Sequence, residues 1–596
     1  MMRQPRRAAP PKSTPTGRPG RERGAVRKKW TGRLPIALLF PNDYRVGMSN
    51  LGFQLLYDLL NRDDRIVAER LFMPPDGQLP RSLESGRLLA DFPVLFFSVS
   101  FEDDYPNLVA MLEQSGIPPL ARDRSGPAAA GLPPPAEADS PARPRPLVVM
   151  GGVACFINPE PLAPFADLMV IGEAEPVLPG LLEMLLRFPR ETERPMLLRQ
   201  LATTLPGCYV PALYTPVYGP DHTLAAMVPD PALPGLPPRV RRVALDRVPE
   251  RAAHSRLLTP DAEFADLFMV ELGRGCSRGC RFCAAGFVYR PPRLWPAEAV
   301  VAGLADRPDG CNRVGLLGME MARPDDLRAI AQTLREQGCS LSFSSLRADA
   351  ITPELIALLA ESRLQSAAIA PDGGSERLRR VINKGINEKD ILTAAEALAT
   401  AGVMNIKLYF MIGLPTETMA DMAELTALTL KVKERVVAAG RTRGRLGRLT
   451  LSVNCFVPKP WTPFQFHPFE SIDVLKEKIR YLRHHLGREP NIKIKADRPE
   501  KAFLQAVLAR GDRRLAPLLL ELARDRANWQ RACRDLDIRP EEYAMRPRPQ
   551  EERFPWEIVD HGLDRRYLWS EYRRGLEAKP GWSCDPENCR RCGVCR

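Results

Sequence analysis

At 596 residues, with 44% hydrophobic and 26% charged side chains, the chain is too long for a single core and too apolar to be disordered. Its net charge of +13 is concentrated: residues 1–30 carry ten Lys/Arg and one acid, a net +9, which leaves +4 for everything after them and argues against a dedicated nucleic-acid module in the body. The longest early apolar run, Leu34–Phe40, is interrupted by Pro35, and Arg6-Arg7 has no apolar segment behind it. Neither a membrane span nor an export signal is expected. Thirteen cysteines without such a signal favour metal ligation in a reducing cytoplasm over a disulfide framework.

Residues 1–32, rich in Pro, Gly and Arg, are expected to form a basic disordered tail, with RNA or acidic partners as nonspecific contacts. From 33 to 190 the pattern alternates. Strands are predicted at Ile36–Phe40, Ile66–Phe72, Val94–Val99, Leu147–Met150 and Leu168–Ile171, with helices near Leu51–Leu60, Tyr105–Gln114 and Val177–Leu186. That alternation predicts a doubly wound, Rossmann-like sheet with any ligand beyond the strand carboxyl ends, at Asn42-Asp43-Tyr44, Ser98–Glu102, Gly151-Gly152 and Gly172-Glu173. The stretch Pro118–Pro146 carries nine prolines, so 121–146 is expected to be a disordered surface insertion. Residues 191–260 are Pro-rich and predicted to be an irregular connecting layer, with His222 and His254 at the surface.

The stretch Gly273-Arg-Gly-Cys276-Ser-Arg-Gly-Cys280-Arg-Phe-Cys283 places three cysteines within eight residues, directly after an apolar strand. Gly273, Gly275 and Gly279 are expected to let the backbone fold tightly enough for the thiolates to converge. Three thiolates are one short of a closed zinc site or a fully ligated 4Fe–4S cluster, so the spacing points to a cluster with one open iron. From 261 to 490 six βα-type units follow, with strands predicted at Leu267–Leu272, Arg313–Leu317, Leu341–Ser345, Gln365–Ala370, Ile406–Ile412 and Thr450–Phe456. An open parallel β/α (partial TIM) barrel is expected, with chemistry just after each strand. Residues 491–580 read as helical, at Pro499–Ala509, Leu515–Ala523 and Trp529–Leu536. The 581–596 tail ends in Cys584-x4-Cys589-x2-Cys592-x2-Cys595. Four thiols at that spacing predict a second metal site, an iron–sulfur cluster or zinc.

The C-x3-C-x-aromatic-C loop, with Phe282 at the aromatic place, resembles the cysteine motif of the radical SAM enzymes. The resemblance implies that Cys276, Cys280 and Cys283 hold a 4Fe–4S cluster whose open iron binds S-adenosylmethionine (SAM). One electron then cleaves SAM to a 5′-deoxyadenosyl radical, and a flavodoxin- or ferredoxin-like partner supplies the electron. Further likenesses fall at successive strand ends. Gly318-Met319-Glu320 is similar to the Gly-Gly-Glu element that holds the SAM amino group, with Met at the second place. After the third strand, Ser344 and Arg347 are placed at the mouth, where a guanidinium fork matches the SAM carboxylate. Asp372 and Ser375 fall in a segment resembling the ribose-contacting one, and Gly413-Leu-Pro415 looks like the turn near the adenine.

The segments Pro41–Gly52, Gly151-Gly152, Asn158–Pro161 and Ile171–Glu175 resemble the cobalamin-binding domain of many radical SAM enzymes. No histidine precedes His222, so an imidazole ligand to cobalt is excluded there, and the domain either binds cobalamin or caps the site. The chain is thus identified as a member of an uncharacterised radical SAM subgroup of unknown substrate, with cobalamin-assisted methylation as one specialisation. Phe456–Gln465 is similar to a methylthiotransferase segment, which leaves RNA modification as an alternative. A non-enzymatic iron–sulfur electron relay is the other alternative.

Overall fold

The computed structural model describes residues 21–75, 77–124, 145–188, 193–343, 346–362 and 364–595. The first sheet is formed by β1 (Leu34–Phe40), β2 (Ile66–Phe72), β3 (Val94–Ser98), β4 (Leu147–Gly151), β5 (Leu168–Val170) and β6 (Cys208–Tyr209). Its order is β2-β1-β3-β4-β5-β6, parallel except for β6, so the winding direction reverses between β1 and β3. Helix Leu51–Arg62 starts where the Asn50 side chain accepts from Phe53 N at 2.9 Å, the expected role of an N-cap asparagine. Strand β2 is buried throughout, which forces Glu69 and Arg70 inside.

That buried cation orders part of the expected disordered tail. Arg70 is held by Glu84 at 2.7 Å and by Glu22 at 2.7 Å, because an unpaired buried guanidinium is costly. Lys28 donates to the carbonyls of Asn61 (2.7 Å) and Asp63 (2.9 Å) at the end of helix Leu51–Arg62, and Trp30 donates to Glu69 at 2.7 Å. Residues 21–32 are therefore part of the fold, and residues 1–20 lie outside the described residues. The insertion is corrected in the same way. Ala121–Arg124 is a short helix whose Arg124 is buried against Asp167 at 3.0 Å, whereas residues 125–144 lie outside the described residues.

The expected irregular layer at 191–260 also has structure: a helix Arg194–Thr204, a hairpin of β7 (Tyr214–Tyr218) and β8 (Leu224–Pro229), and β9 (Val240–Arg241). Proline masks this hairpin in the sequence but is tolerated because both strands sit outside the larger sheets.

Downstream, β10 (Phe268–Glu271) is followed by two two-residue strands, β11 (Gly273–Arg274) and β12 (Arg293–Leu294). Then come β13 (Arg313–Leu317) and β14 (Ser340–Phe343), which form a parallel sheet in the order β10-β13-β14. A second parallel sheet is β15 (Ser366–Asp372), β16 (Asn405–Ile412), β17 (Arg448–Cys455) and β18 (Ile492–Ala496), in sequence order. A single parallel bridge, Leu346 to Ile369, lies between the two sheets. In β16 the buried residues Ile406, Leu408, Phe410 and Ile412 alternate with more exposed ones, the two-residue period of a pleated strand. Strand β18 lies beyond the expected barrel boundary at 490. Its Ile-Lys alternation is short and carries no bulky core residue beyond the isoleucines, so it reads weakly.

The hydrophobic core does not follow the expected boundaries either. One continuous core joins the first sheet to the β15–β18 sheet and the C-terminal helices, while β10, β13 and β14 share a smaller core around Phe268, Val270, Leu316 and Ile330. No described helix is long and apolar enough to cross a membrane.

Candidate functional site

The cysteine loop is an excursion closed at its neck by β11 and β12, which pair antiparallel. A Cβ at Gly273 would lie 2.3 Å from the Arg293 carbonyl oxygen, and its φ is +147°, so this neck requires glycine. Arg274 bolts the neck in place through Glu271 (2.9 Å), Glu175 (2.6 Å) and Glu173 (2.9 Å), and Arg293 reaches Glu173 at 2.5 Å. Both Glu173 and Glu175 lie at the start of helix Ala174–Arg187, so the first sheet's own helix anchors the loop.

Within the loop all three thiols are free, with Cys280 buried and Cys276 and Cys283 partly so. Burial pushes the Cys283 thiol up to about 12 and raises Cys276 and Cys280. Lys384 and Arg347 pull Cys280 the other way, since a nearby cation favours a thiolate. Enclosed thiols from one loop, faced by two cations, fit an iron–sulfur cluster, whose ligands are thiolates. Among the described residues no three His, Cys, Asp or Glu side chains form a site for a single ion.

Four of the residues singled out from sequence line one cavity of about 670 Å³: Cys276, Gly318, Glu320 and Arg347. That is within the roughly 300–1,000 Å³ typical of small-molecule sites. Its walls are apolar at Leu316, Met319, Leu346 and Leu355. Glu320 holds the loop itself, accepting from Ser277 N at 2.7 Å and Ser277 Oγ at 2.6 Å. Gly318 permits that turn, because a Cβ there would sit 2.6 Å from the Glu320 carbonyl oxygen. Arg347 donates to both Asp349 oxygens (2.9 and 3.0 Å) and to the Lys384 carbonyl at 2.8 Å.

The remaining expected contacts do not line this cavity. Asp372 pairs with Lys384 at 2.5 Å, and Ser375 caps helix Glu376–Val381 while donating to Asp421 at 2.5 Å. Gly413 N donates to Glu417 at 2.5 Å in the turn that buries Pro415. Ser344 lies outside the described residues. Sequence reasoning missed Ser277, Asn383 and Lys384. The signal, weak by itself, is Asn383-Lys384-Gly385 directly after helix Glu376–Val381, with Gly385 at φ +69°.

The C-terminal cysteines are not remote. Cys584 N donates to the Ser277 carbonyl at 2.5 Å, one residue from Cys276. This contact also corrects the role of Gly279. Its missing Cβ makes room for the Trp582 carbonyl oxygen, which a Cβ would meet at 2.9 Å, rather than serving thiolate convergence alone.

The strand ends of the first sheet are spent on docking. Glu102 takes Lys459 at 2.5 Å and Gln505 at 3.1 Å, and Glu173 takes the arginines above. Cβ atoms at Gly152 and Gly172 would meet the carbonyl oxygens of Val99 (2.4 Å) and Val243 (2.0 Å), so these glycines admit backbone rather than a planar ligand. The cavity at these ends, lined by Phe97, Met150, Gly151 and Val170, is about 70 Å³. As folded, these residues do not fit a corrinoid.

Under the loop, His561 Nε2 lies 2.8 Å from the Phe156 carbonyl and its ring meets Trp461 edge-on at 4.8 Å. Burial pushes this imidazole down to about 3 from 6.5, so it folds neutral. The unfolded chain binds the proton first, so this group's contribution is complete above pH 6.5 and is lost as pH falls toward about 3. The denaturation midpoints of wild type and His561→Asn, compared from neutral pH to pH 4, are expected to converge with a slope of up to about 1.4 kcal/mol per unit. A pH-independent difference contradicts a neutral buried imidazole.

Fold and loop together define a mixed α/β protein with parallel sheets and a cysteine-lined site beside a small-molecule cavity. Residues 52–211 match the family model for the N-terminal region of radical SAM proteins, and residues 270–429 match the model of the radical SAM superfamily. The chain belongs to the radical SAM superfamily. It is an enzyme, and membership implies a 4Fe–4S cluster, SAM and an external reductant.

An uncharacterized protein of Methanocaldococcus jannaschii is 28% identical over 487 residues, covering 81% of this chain and 90% of that one. Another, of Methanopyrus kandleri, is 28% identical over 218 residues, 33% of this chain and 39% of its own length. Among solved structures, the cobalamin-dependent SAM radical enzyme OxsB with aqua-cobalamin bound aligns with TM-score 0.42 and 15% identity, over 66% of this chain and 52% of that chain. Escherichia coli coproporphyrinogen III oxidase, HemN, aligns with TM-score 0.26 and 15% identity, over 37% of this chain and 52% of that one. The chain thus spans about half the length of both.

Proposed function

We propose that the chain is a SAM-cleaving radical enzyme whose cluster is held by Cys276, Cys280 and Cys283. The carrying observation is that Cys276 shares the 670 Å³ cavity with Gly318, Glu320 and Arg347. When bound, the cluster supplies one electron to the SAM sulfonium, which breaks a carbon–sulfur bond and yields methionine and a 5′-deoxyadenosyl radical. The chain's residues hold and enclose. Glu320 fixes Ser277 and hence the loop, with lone pairs left for an ammonium group. Arg347 offers a cation to a carboxylate, and Lys384, held by Asp372, places a second cation near Cys280. Asp372, Ser375, Gly413 and Pro415 would serve the nucleoside end from the β15 and β16 ends.

We read the first sheet as a doubly wound domain and β10–β18 as a partial barrel, with the former docked as a cap through Glu102 and Glu173. RNA modification rests on the Phe456–Gln465 likeness and the basic tail, two of whose described cations are used internally, Arg21 on Asp261 and Lys28 on helix-end carbonyls.

The test is electron paramagnetic resonance of anaerobically reconstituted, reduced protein with and without SAM. The wild-type cluster signal is expected to shift on adding SAM, and a Cys276→Ala, Cys280→Ala, Cys283→Ala variant to lose that signal. An unshifted wild-type signal rejects the reading.

A further inference from the structure

Residues 579–595 form a strap over the central loop. Asn383 clamps both partners: its Nδ2 donates to the Gly279 carbonyl at 3.0 Å, and its Oδ1 accepts from Gly581 N at 2.8 Å. Arg281, inside the loop and fully buried, donates to the Lys579 carbonyl at 2.8 Å. The Cys584 peptide closes the strap onto Ser277. Trp582 is sandwiched between the guanidinium groups of Arg574 (4.2 Å) and Arg591 (4.0 Å), which holds the turn beyond it. Cys592 is buried, its carbonyl accepting from Asp564 N at 2.8 Å.

Two metal-ligand groups that lie about 300 residues apart in sequence therefore meet in the fold. Counting 3.8 Å per residue and one hydrogen bond, the Cα atoms of Cys276 and Cys584 lie within about 10 Å of each other. The two groups differ in access. Cys280 is buried beneath the strap, whereas residues 585–588, 590 and 591 are mostly exposed and Cys584, Cys589 and Cys595 are partly so. The four C-terminal cysteines fall within twelve residues of the strap, at a spacing that suits one cluster.

We propose that Cys584, Cys589, Cys592 and Cys595 hold a second iron–sulfur cluster that is the entry point for electrons. A one-electron protein reductant of the flavodoxin or ferredoxin class docks on the exposed strap, and one electron passes through the Cys584–Ser277 contact to the central site. No bond forms or breaks in that transfer, and the reductant ends one electron more oxidised. The proposal rests on the central cluster of the preceding section.

The test uses full-length protein reconstituted anaerobically. Wild type is expected to hold about eight irons, and Cys589→Ala/Cys595→Ala, which changes only partly exposed positions, about four. In that variant, reduction of the central cluster by photoreduced flavodoxin is expected to slow at least about tenfold, equivalent to about 1.4 kcal/mol of barrier, while reduction by dithionite is retained. Fully reduced wild type is expected to show spin–spin broadening between the two clusters, a readout that needs no variant.

About four irons plus one zinc in wild type, or an unchanged flavodoxin rate in the iron-depleted variant, overturns the proposal. Two uncoupled signals overturn the adjacency. If instead the SAM-dependent shift is absent while about four irons depend on the C-terminal cysteines, the central reading fails and the second cluster stands.

Discussion

Replacing Glu571 with alanine is expected to destabilise the protein by about 3–5 kcal/mol, the cost of stranding a buried cation. Arg281, between Cys280 and Phe282, is 0% exposed, and Glu571 is its carboxylate partner at 3.0 Å. Its other acceptors are the carbonyls of Arg380 (3.0 Å), Val381 (2.9 Å) and Lys579 (2.8 Å), which share the charge without neutralising it. Burial already lowers the Arg281 pKa, and the loss of Glu571 lowers it further. Because Arg281 ties the cysteine loop to helix Glu376–Val381 and to the strap, the same change should speed alkylation of Cys276 and Cys283. Arg281→Met/Glu571→Met should recover part of the loss, since a buried pair removed whole costs less than one broken. A denaturation midpoint within about 0.5 kcal/mol of wild type would mean that the pair contributes nothing.

The second large effect is expected at Lys384. Its ammonium lies 2.5 Å from Asp372, and both side chains are largely enclosed, at 9% and 13% exposure. Burial raises the Asp372 carboxyl pKa and Lys384 opposes it, so Lys384→Met leaves a carboxylate that either stays charged at a cost or takes up a proton. A destabilisation of about 3 kcal/mol is expected, with most of it restored in Asp372→Asn/Lys384→Met. The two variants should differ in one further respect. Both lose Lys384, one of two cations that favour the Cys280 thiolate, but only Lys384→Met keeps the Asp372 carboxyl that opposes it, so Lys384→Met should hold iron least tightly. Iron retention against a chelator, measured beside denaturation midpoints, separates the roles. Wild-type retention in Lys384→Met rejects the electrostatic one.

The parts that local chemistry decides were legible in the sequence. Strands β2 and β13 fall where their apolar runs place them, because a strand inside a parallel sheet is mostly hydrophobic, although β2 also buries Glu69 and Arg70. The cysteine loop was legible because ligand spacing and glycines at a tight neck are local requirements. Strand-end positions also follow from alternation, which is why Gly318, Glu320 and Arg347 share one cavity.

What the tertiary structure decided are the pairings that span long sequence distances. Glu22 reads as one acid in a basic tail until Arg70 is buried and needs it. Gly151-Gly152 and Gly172 read as room for a ligand, but backbone from Val99 and Val243 fills the space. Glu320, expected at SAM, also holds Ser277, and Lys384, marked in the sequence only by the weak Asn383-Lys384-Gly385 signal, faces Cys280. The two cysteine groups look independent along the chain. Their meeting depends on Asn383, Arg281 and the Gly279 gap, a set of contacts between segments about 100 and 300 residues apart that no local pattern encodes.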